Sequence, residues 1–117
     1  MEKVDSINVL TALGQPTRLD AFRLLVQHEP EGLAAGNLAR ALNIPQNTMS
    51  THLSILAQAG LVRSERRSRS VIYRAELEQL SRLLLFLLQD CCGGHPALCA
   101  PLIDNISSCQ PAEGKCG

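Results

Sequence analysis

Three cysteines lie close together near the carboxyl-terminal end of the sequence. The stretch DCCGGHPALC, residues 90–99, holds Cys91, Cys92 and Cys99 around the pair Gly93–Gly94. Two adjacent cysteines at the end of a helix can direct both sulfur atoms to one centre if the last turn unwinds, and the glycines give the chain the freedom to fold back. The six residues between Cys92 and Cys99 are enough to return the third sulfur to the same point. The spacing therefore indicates a site with three sulfur ligands from one chain.

Several ligands and reactions are compatible with these thiols. Thiolates select thiophilic centres such as Zn(II), Cd(II) and Cu(I), and three sulfur atoms without a fourth ligand suit the trigonal-pyramidal geometry of As(III) or Sb(III). Zn(II) or Cd(II) would take a tetrahedral fourth ligand, for which His95 is the candidate, although Pro96 restricts its backbone. A redox role would join Cys99 to Cys91 or Cys92, since a disulfide between neighbours is strained. Cys91 also continues a leucine stripe, as a buried apolar residue would.

The composition limits the classes of protein that can carry these thiols. A chain of 117 residues is enough for one domain. Its longest apolar run is far shorter than the roughly 18 residues of a membrane span, and the opening MEKVDSINVL has no apolar signal-peptide core. We therefore expect a cytoplasmic protein with no membrane partner, in which thiols stay reduced. His28, His52 and His95 fall on separate elements and no Gly-rich phosphate loop is present, so we expect neither an enzyme nor an organic cofactor.

The formal net charge of zero conceals an uneven distribution of charge. Residues 37–74 contain six arginines against the single acid Glu65, a balance of +5, and the rest of the chain carries −5. A segment with this excess is a plausible binding surface for phosphates. A solvated basic face is the alternative interpretation of the charges alone.

Hydrophobic periodicity and turn residues predict a mostly α-helical fold with one small β-hairpin. The predicted helices cover residues 4–13, 16 to about 28, 34–42, 46–59 and 76–92, and the predicted strands cover residues 61–65 and 70–74, with a turn at 66–69. The last helix carries a leucine stripe that is too apolar to face water in a monomer, so the residues themselves favour a dimer.

The third and fourth predicted helices, separated by the break Asn43–Pro45, have the arrangement of a helix-turn-helix motif. On the fourth helix Met49, Leu53 and Leu56 follow the spacing of a buried stripe, which leaves a small, polar face outward. Such side chains can reach base edges in the major groove, and the arginine-rich hairpin that follows can lie against the DNA backbone as a wing. The candidate DNA-binding residues are Gln46, Asn47, Thr48, Ser50, Thr51 and His52 on the helix and Arg66, Arg67 and Arg69 on the hairpin.

Three stretches of the sequence resemble one family. ALGQPTRLDAFRLL, LARALNIPQNTMSTHLSILAQAGLV and RRSRSVIYR are similar to the ArsR/SmtB family of winged-helix repressors, over roughly residues 7–90. The resemblance implies a winged helix-turn-helix that dimerises through its first and last helices and presents two recognition helices to double-stranded operator DNA. Residues 1–92 would then form the DNA-binding and dimerisation domain, and residues 93–117 a cysteine-containing tail that completes the sensor site.

The resemblance also bears on the inducer. The best-known arsenic sensors of the family carry a cysteine-valine-cysteine motif in the first helix of the helix-turn-helix, but the matching stretch here, residues 33–36, reads LAAG. Other members place paired cysteines at the end of the last helix and a third shortly after, and Cys91, Cys92 and Cys99 are similar to that variant. This resemblance implies a repressor that is released when As(III) or Sb(III) binds the three thiolates. A Zn(II)- or Cd(II)-responsive repressor that adds His95, a redox-sensing repressor and a sensor of organoarsenicals stay open.

Overall fold

The structure is a computed structural model that describes residues 1–91, with the side chains of residues 1–88. The described elements are α1 (Lys3–Leu13), α2 (Pro16–Gln27), β1 (Leu33–Ala34), α3 (Ala35–Leu42), α4 (Gln46–Gln58), β2 (Val62–Arg67), β3 (Ser70–Ala75) and α5 (Leu77–Cys91). Residues 1–83 form one compact unit, and α5 beyond Leu83 is described only as helix. The predictions for Cys92, His95, Cys99 and residues 93–117 lie outside the described residues. No described helix has the length and apolarity needed to cross a bilayer.

The mostly helical fold class with a small hairpin is confirmed, with two corrections to the strands. A third strand, β1, pairs antiparallel with β3, so the described sheet has the order β1-β3-β2. The hairpin is also longer than predicted, because Arg66 and Arg67 continue β2 and pair with Val71 and Ser70. The turn therefore contains only residues 68 and 69, and Ser68 adopts a left-handed conformation with φ of 56°.

A single apolar core holds α4 in place. Met49, Leu53 and Leu56 are fully buried, as their helical spacing predicts. They pack in one cluster with residues of the other elements, which include Leu25 of α2 and Leu38 of α3. Because the whole inward stripe of α4 is anchored in this cluster, the opposite face of the helix is fixed in direction.

Helix α1 has apolar residues on its inward face and also on its outward face. Val9 and Ala12 are buried in the core, whereas Val4, Ile7 and Leu10 are 66%, 50% and 45% exposed. The outward residues follow one another at three-residue spacing, which places them along one side of a helix. We call Val4, Ile7 and Leu10 the α1 stripe.

Gly32 allows the loop after α2 to lie directly against the sheet. Its φ is +75°, and a Cβ atom at this position would lie 2.5 Å from the carbonyl oxygen of Tyr73 and 2.7 Å from the Cγ2 of Ile72. Glycine meets both requirements, since it has no Cβ and tolerates positive φ. The loop that contains Glu29 and Glu31 is thereby brought to β3.

Candidate nucleic-acid interface

The turn between α3 and α4 sets the angle of the helix-turn-helix. Asn43 ends α3 in the left-handed conformation, with φ of 57° and ψ of 49°, a state that asparagine tolerates better than most residues. Its backbone N–H donates to the carbonyls of Ala39 and Arg40. Pro45 is extended and directly precedes Gln46, the first residue of α4. The chain therefore passes from α3 to α4 in three residues, and the first residues of α4 are exposed.

The outward face of α4 carries the short polar side chains that the sequence predicts for DNA contact. Gln46, Asn47, Thr48, Ser50 and Thr51 are all exposed. This face contains no charged residue, so electrostatic repulsion from DNA phosphates does not oppose its entry into a groove. The structure brings these five predicted residues together on one helix end.

Two of these side chains already bond to the helix itself. The backbone N–H of Thr48 donates to Asn47 Oδ1 at 2.9 Å, and the Thr51 hydroxyl donates to the carbonyl of Asn47 at 3.2 Å. The amide Nδ2 of Asn47 has no such partner within the described residues. Asn47 can therefore donate to a base or phosphate as it stands, whereas bidentate pairing with adenine requires its Oδ1 to leave the Thr48 N–H.

His52, also predicted to contact DNA, is placed differently from the other five. It is half-buried, and its Nδ1 lies 3.4 Å from Nη1 of Arg18, a residue of α2. The same guanidinium donates to the carbonyl of Ala12 at 2.7 Å and to that of Thr11 at 3.4 Å. Arg18 thus joins the end of α1 to the middle of α4, a contact over 34 residues that sequence patterns do not reveal.

The three predicted arginines of the hairpin fall into two groups. Arg66 and Arg69 are exposed and form no ion pair within residues 1–88. Arg67 instead donates to Glu65 Oε2 at 2.9 Å and to the carbonyl of Glu31 at 3.0 Å. The pleat of β2 explains the division, because successive strand residues point to opposite faces. Arg66 therefore lies on the opposite face from Arg67.

The face of the hairpin that carries Arg67 is a network of charges. We call Arg63, Glu65, Arg67 and Arg74 the charged wing face. Arg74 donates to Glu65 Oε1 at 3.0 Å and to both carboxylate oxygens of Glu29, at 3.1 Å and 2.8 Å. Arg63 lies 3.2 Å from Glu65 and 2.6 Å from Glu76. Three arginines and three glutamates meet here, so the network is neutral.

This neutrality changes the interpretation of the basic segment. The excess of +5 over residues 37–74 counts only Glu65 as an acid, but the fold adds Glu29 and Glu76 from outside the segment. The local excess then falls to +3, carried by Arg40, Arg66 and Arg69. Arg40, which is exposed, donates only to the neutral amide oxygen of Asn37. Within residues 37–74, the unpaired positive charge is therefore confined to the helix-turn-helix and the hairpin tip.

The ion pairs shift the ionisation of their members. Hydrogen bonds from Arg74 hold the pKa of Glu29 below its ordinary value of 4.5, in spite of the opposing effect of burial. Hydrogen bonds from Arg67 and then Arg74 lower the pKa of Glu65, and the Glu29 and Glu65 carboxylates raise the pKa of Arg74. All of these groups are charged at neutral pH, so the network is intact there.

The described part of the chain contains no group of three or more His, Cys, Asp and Glu side chains that could hold a metal ion. Cys91 is the last residue of α5, and the other two predicted thiols follow it in the sequence. The predicted sulfur site therefore stays a prediction.

The exposed polar α4, the tight turn before it and the antiparallel hairpin after it define a winged helix-turn-helix protein. Residues 13–65 match a family model described as a helix-turn-helix domain. The chain is 35% identical over 77 residues to the HTH-type transcriptional repressor SmtB of Mycobacterium tuberculosis, which covers 66% of this chain and 55% of that protein. It thus spans about half the length of that curated relative.

Two further proteins match this chain over a larger share of their own length. The chain is 32% identical over 93 residues to the biofilm growth-associated repressor of Agrobacterium fabrum, which covers 80% of this chain and 71% of that protein. It also matches the solution structure of a homodimeric winged helix-turn-helix DNA-binding domain from Mycobacterium bovis, which is described as a possible ArsR-family transcriptional regulator. This match has a TM-score of 0.61 and 25% identity, and it covers 77% of this chain and 82% of that one. The chain belongs to the ArsR/SmtB family of winged-helix transcriptional regulators. This family is one of regulators and not of enzymes, in agreement with the prediction.

Proposed function

We propose that the protein is a transcriptional repressor that binds operator DNA as a homodimer and is released when As(III) or Sb(III) binds Cys91, Cys92 and Cys99. Residues 1–92 bind DNA and dimerise, and residues 93–117 complete the sensor site. The observation that carries the proposal is the pairing of an uncharged polar α4 face with a hairpin tip whose arginines are unpaired.

The distribution of polar groups supports DNA binding. Gln46, Asn47 and Ser50 offer donors and acceptors of the length that reaches base edges in a major groove. Arg66 and Arg69 supply positive charge on the hairpin, where it can neutralise phosphates of the backbone or enter the minor groove. Thr48 and Thr51 are exposed on the same helix, and their hydroxyls suit phosphate or sugar contacts. In this proposal His52 acts from the edge of the helix, held by Arg18.

The α1 stripe supports the homodimer. Three large apolar side chains in a row on one face lose favourable burial if they stay in water, at about 25 cal/mol per Å² of apolar surface. Leu77, at the beginning of α5, is also 45% exposed. A second copy of the chain would cover such surfaces, and the mycobacterial structure similar to this chain is described as homodimeric.

The thiols support release by a metalloid. Arsenous acid can exchange three hydroxyls for three thiols with release of water, which leaves no net charge at the site. Cys91 ends α5, so ligand binding at this point acts on the end of a helix that the proposed dimer uses. A coupling of about 1–3 kcal/mol would lower operator affinity by roughly 5–150-fold.

One experiment tests the proposal. A duplex is selected from a random pool with the wild-type protein, and its release is followed by fluorescence anisotropy against As(III), Sb(III), methylarsenite, Cd(II), Zn(II) and peroxide. We expect As(III) and Sb(III) to weaken binding by roughly 5–150-fold and the substitutions Cys91→Ser, Cys92→Ser and Cys99→Ser to abolish that response without preventing DNA binding.

The same panel separates the alternatives. If Zn(II) or Cd(II) releases the DNA and His95→Ala abolishes that response, the inducer is a metal ion held by four ligands and not a metalloid. If peroxide alone releases the DNA, the cysteines form a redox sensor and not a metalloid site. Release by As(III) that survives all three cysteine substitutions would refute the proposed sensor and leave the DNA-binding part intact.

A further inference from the structure

We propose that Glu65 limits the sequence-independent DNA affinity of the wing by holding Arg67 on the charged wing face, away from DNA phosphates. The inference rests on the proposed DNA binding and adds to it a residue that lowers the affinity of the wing for DNA phosphates. Glu65 itself contacts no DNA in this account. It acts through Arg67, so it is a positioning residue.

The geometry of β2 assigns this role to Glu65. Residues 63, 65 and 67 lie on one face of the strand, because successive strand residues point to opposite faces. Glu65 lies between the two arginines of that face. Its Oε2 accepts from Arg67 Nη2 at 2.9 Å, and its Oε1 accepts from Arg74 Nη1 at 3.0 Å. Arg67 Nη1 donates to the carbonyl of Glu31. The guanidinium is thereby turned from the hairpin tip toward the loop after α2.

Arg67 is the arginine that depends on Glu65. Arg74 keeps two hydrogen bonds to Glu29 if the Glu65 charge is lost, and Arg63 keeps its contact of 2.6 Å with Glu76. Within the described residues, Glu65 is the only carboxylate paired with Arg67. The Arg67 side chain is 47% exposed, so once the carboxylate is removed only its hydrogen bond to the carbonyl of Glu31 opposes a swing toward the tip.

The position of Arg67 makes its release consequential. It is the last residue of β2 and pairs with Ser70 across the two-residue turn, next to Arg66 and Arg69. A third free arginine at this tip would add an attraction to phosphates that is independent of base sequence. Such an attraction acts on operator and non-operator DNA alike. Glu65 therefore limits how tightly the wing binds DNA of any sequence.

The test compares Glu65→Gln with wild-type protein on two duplexes, one selected by the wild-type protein and one of random sequence. Glutamine keeps the size of the side chain and one acceptor oxygen but removes the charge. We expect the random duplex to be bound about threefold to tenfold more tightly at low salt, and the slope of log K against log salt to steepen by about one. The selected duplex should be bound more tightly by a similar factor, because phosphate contacts act on DNA of any sequence.

Glu78→Gln is the matched control. It removes the same charge and releases Arg82, which donates to Glu78 at 2.9 Å on α5 and not on the wing. We expect no change of slope in this variant. The double variant Glu65→Gln/Arg67→Ala should return the slope to the wild-type value, because Arg67 is the group that Glu65→Gln releases.

Arg67→Ala alone provides an independent test that does not depend on how Glu65→Gln folds. In the wild-type background it should leave the salt slope unchanged, whereas Arg69→Ala should lower the slope by about one. The inference is overturned if Glu65→Gln behaves like Glu78→Gln, or if Arg67→Ala lowers the slope as much as Arg69→Ala. If the wild-type protein binds neither duplex, the proposed function fails together with this inference.

Discussion

Arg18 links three helices through one guanidinium group. It lies on α2, donates to the last carbonyls of α1 at Ala12 and Thr11, and contacts His52 of α4. Helix α1 has no basic residue in its own last turn, so Arg18 supplies the positive charge that suits the carboxyl end of a helix. The orientation of α4 relative to the proposed dimer helix therefore depends partly on this one side chain.

We predict that Arg18→Met lowers the free energy of unfolding by about 1–3 kcal/mol, because the carbonyls of Ala12 and Thr11 lose a charged donor. Methionine retains the apolar stem, so the change isolates the guanidinium. Urea unfolding measures the effect. Arg23→Met is the control, since Arg23 is exposed on the same helix and forms no ion pair within the described residues. Equal stability of the two variants would contradict the role of Arg18.

Contacts between side chains that are far apart in the sequence were the part of the structure that the sequence predicted least well. The Arg74–Glu29 and Arg18–His52 contacts join residues 45 and 34 positions apart, and no local pattern encodes such pairings. The opposite orientation of Arg66 and Arg67 was not predicted either, because the turn was predicted to begin two residues before its observed position. By contrast, the buried stripe Met49, Leu53 and Leu56 was predicted correctly, since helical spacing is a local property.

The wing is anchored as an element by the loop that follows α2. Gly32 lets that loop approach β3, and Glu29 then forms a bidentate pair with Arg74, both side chains being 19% exposed. The folded pKa of Glu29 lies below its ordinary value of 4.5. Such a group contributes stability that is fully present above 4.5 and is lost as the pH falls through the folded pKa.

We predict that Glu29→Gln lowers the free energy of unfolding at neutral pH by about 1.5–3 kcal/mol, the range for hydrogen bonds to charged groups. In the variant, the further loss of stability below pH 4.5 should be smaller than in the wild-type protein, because one carboxylate with a lowered pKa is absent. Urea unfolding over a series of pH values measures both effects. Glu31→Gln, which removes an exposed carboxylate of the same loop that forms no ion pair within the described residues, should change neither.

The elements themselves followed from sequence with few errors. All five helices of the described residues were predicted, and their ends are marked by residues with a local effect, such as Pro16 at the first position of α2. The strand β1 was missed because two residues, Leu33 and Ala34, are too few to show alternation. Its pairing with Tyr73 and Ile72 depends on the close approach that Gly32 permits.

In the proposed complex, two chains are joined through their α1 stripes and present two copies of α4 and the wing to one operator. The sequence suggested the dimer through the leucines of α5 and through the family resemblance, and the exposure of Ile7 and Leu10 adds a second apolar surface. Linking two DNA-binding units raises affinity because the second contact becomes intramolecular.

Sedimentation of the protein, alone and with a duplex that it selects, measures how many chains bind one operator. We predict two chains per duplex and a monomer for Ile7→Glu, with duplex affinity lower by about 100-fold or more because the second contact is lost. Leu19→Glu, which alters a residue of α2 that is 41% exposed and lies outside the α1 stripe, should bind as a dimer like the wild-type protein. One chain per duplex in the wild-type protein, or undiminished binding by a monomeric Ile7→Glu, would contradict the account.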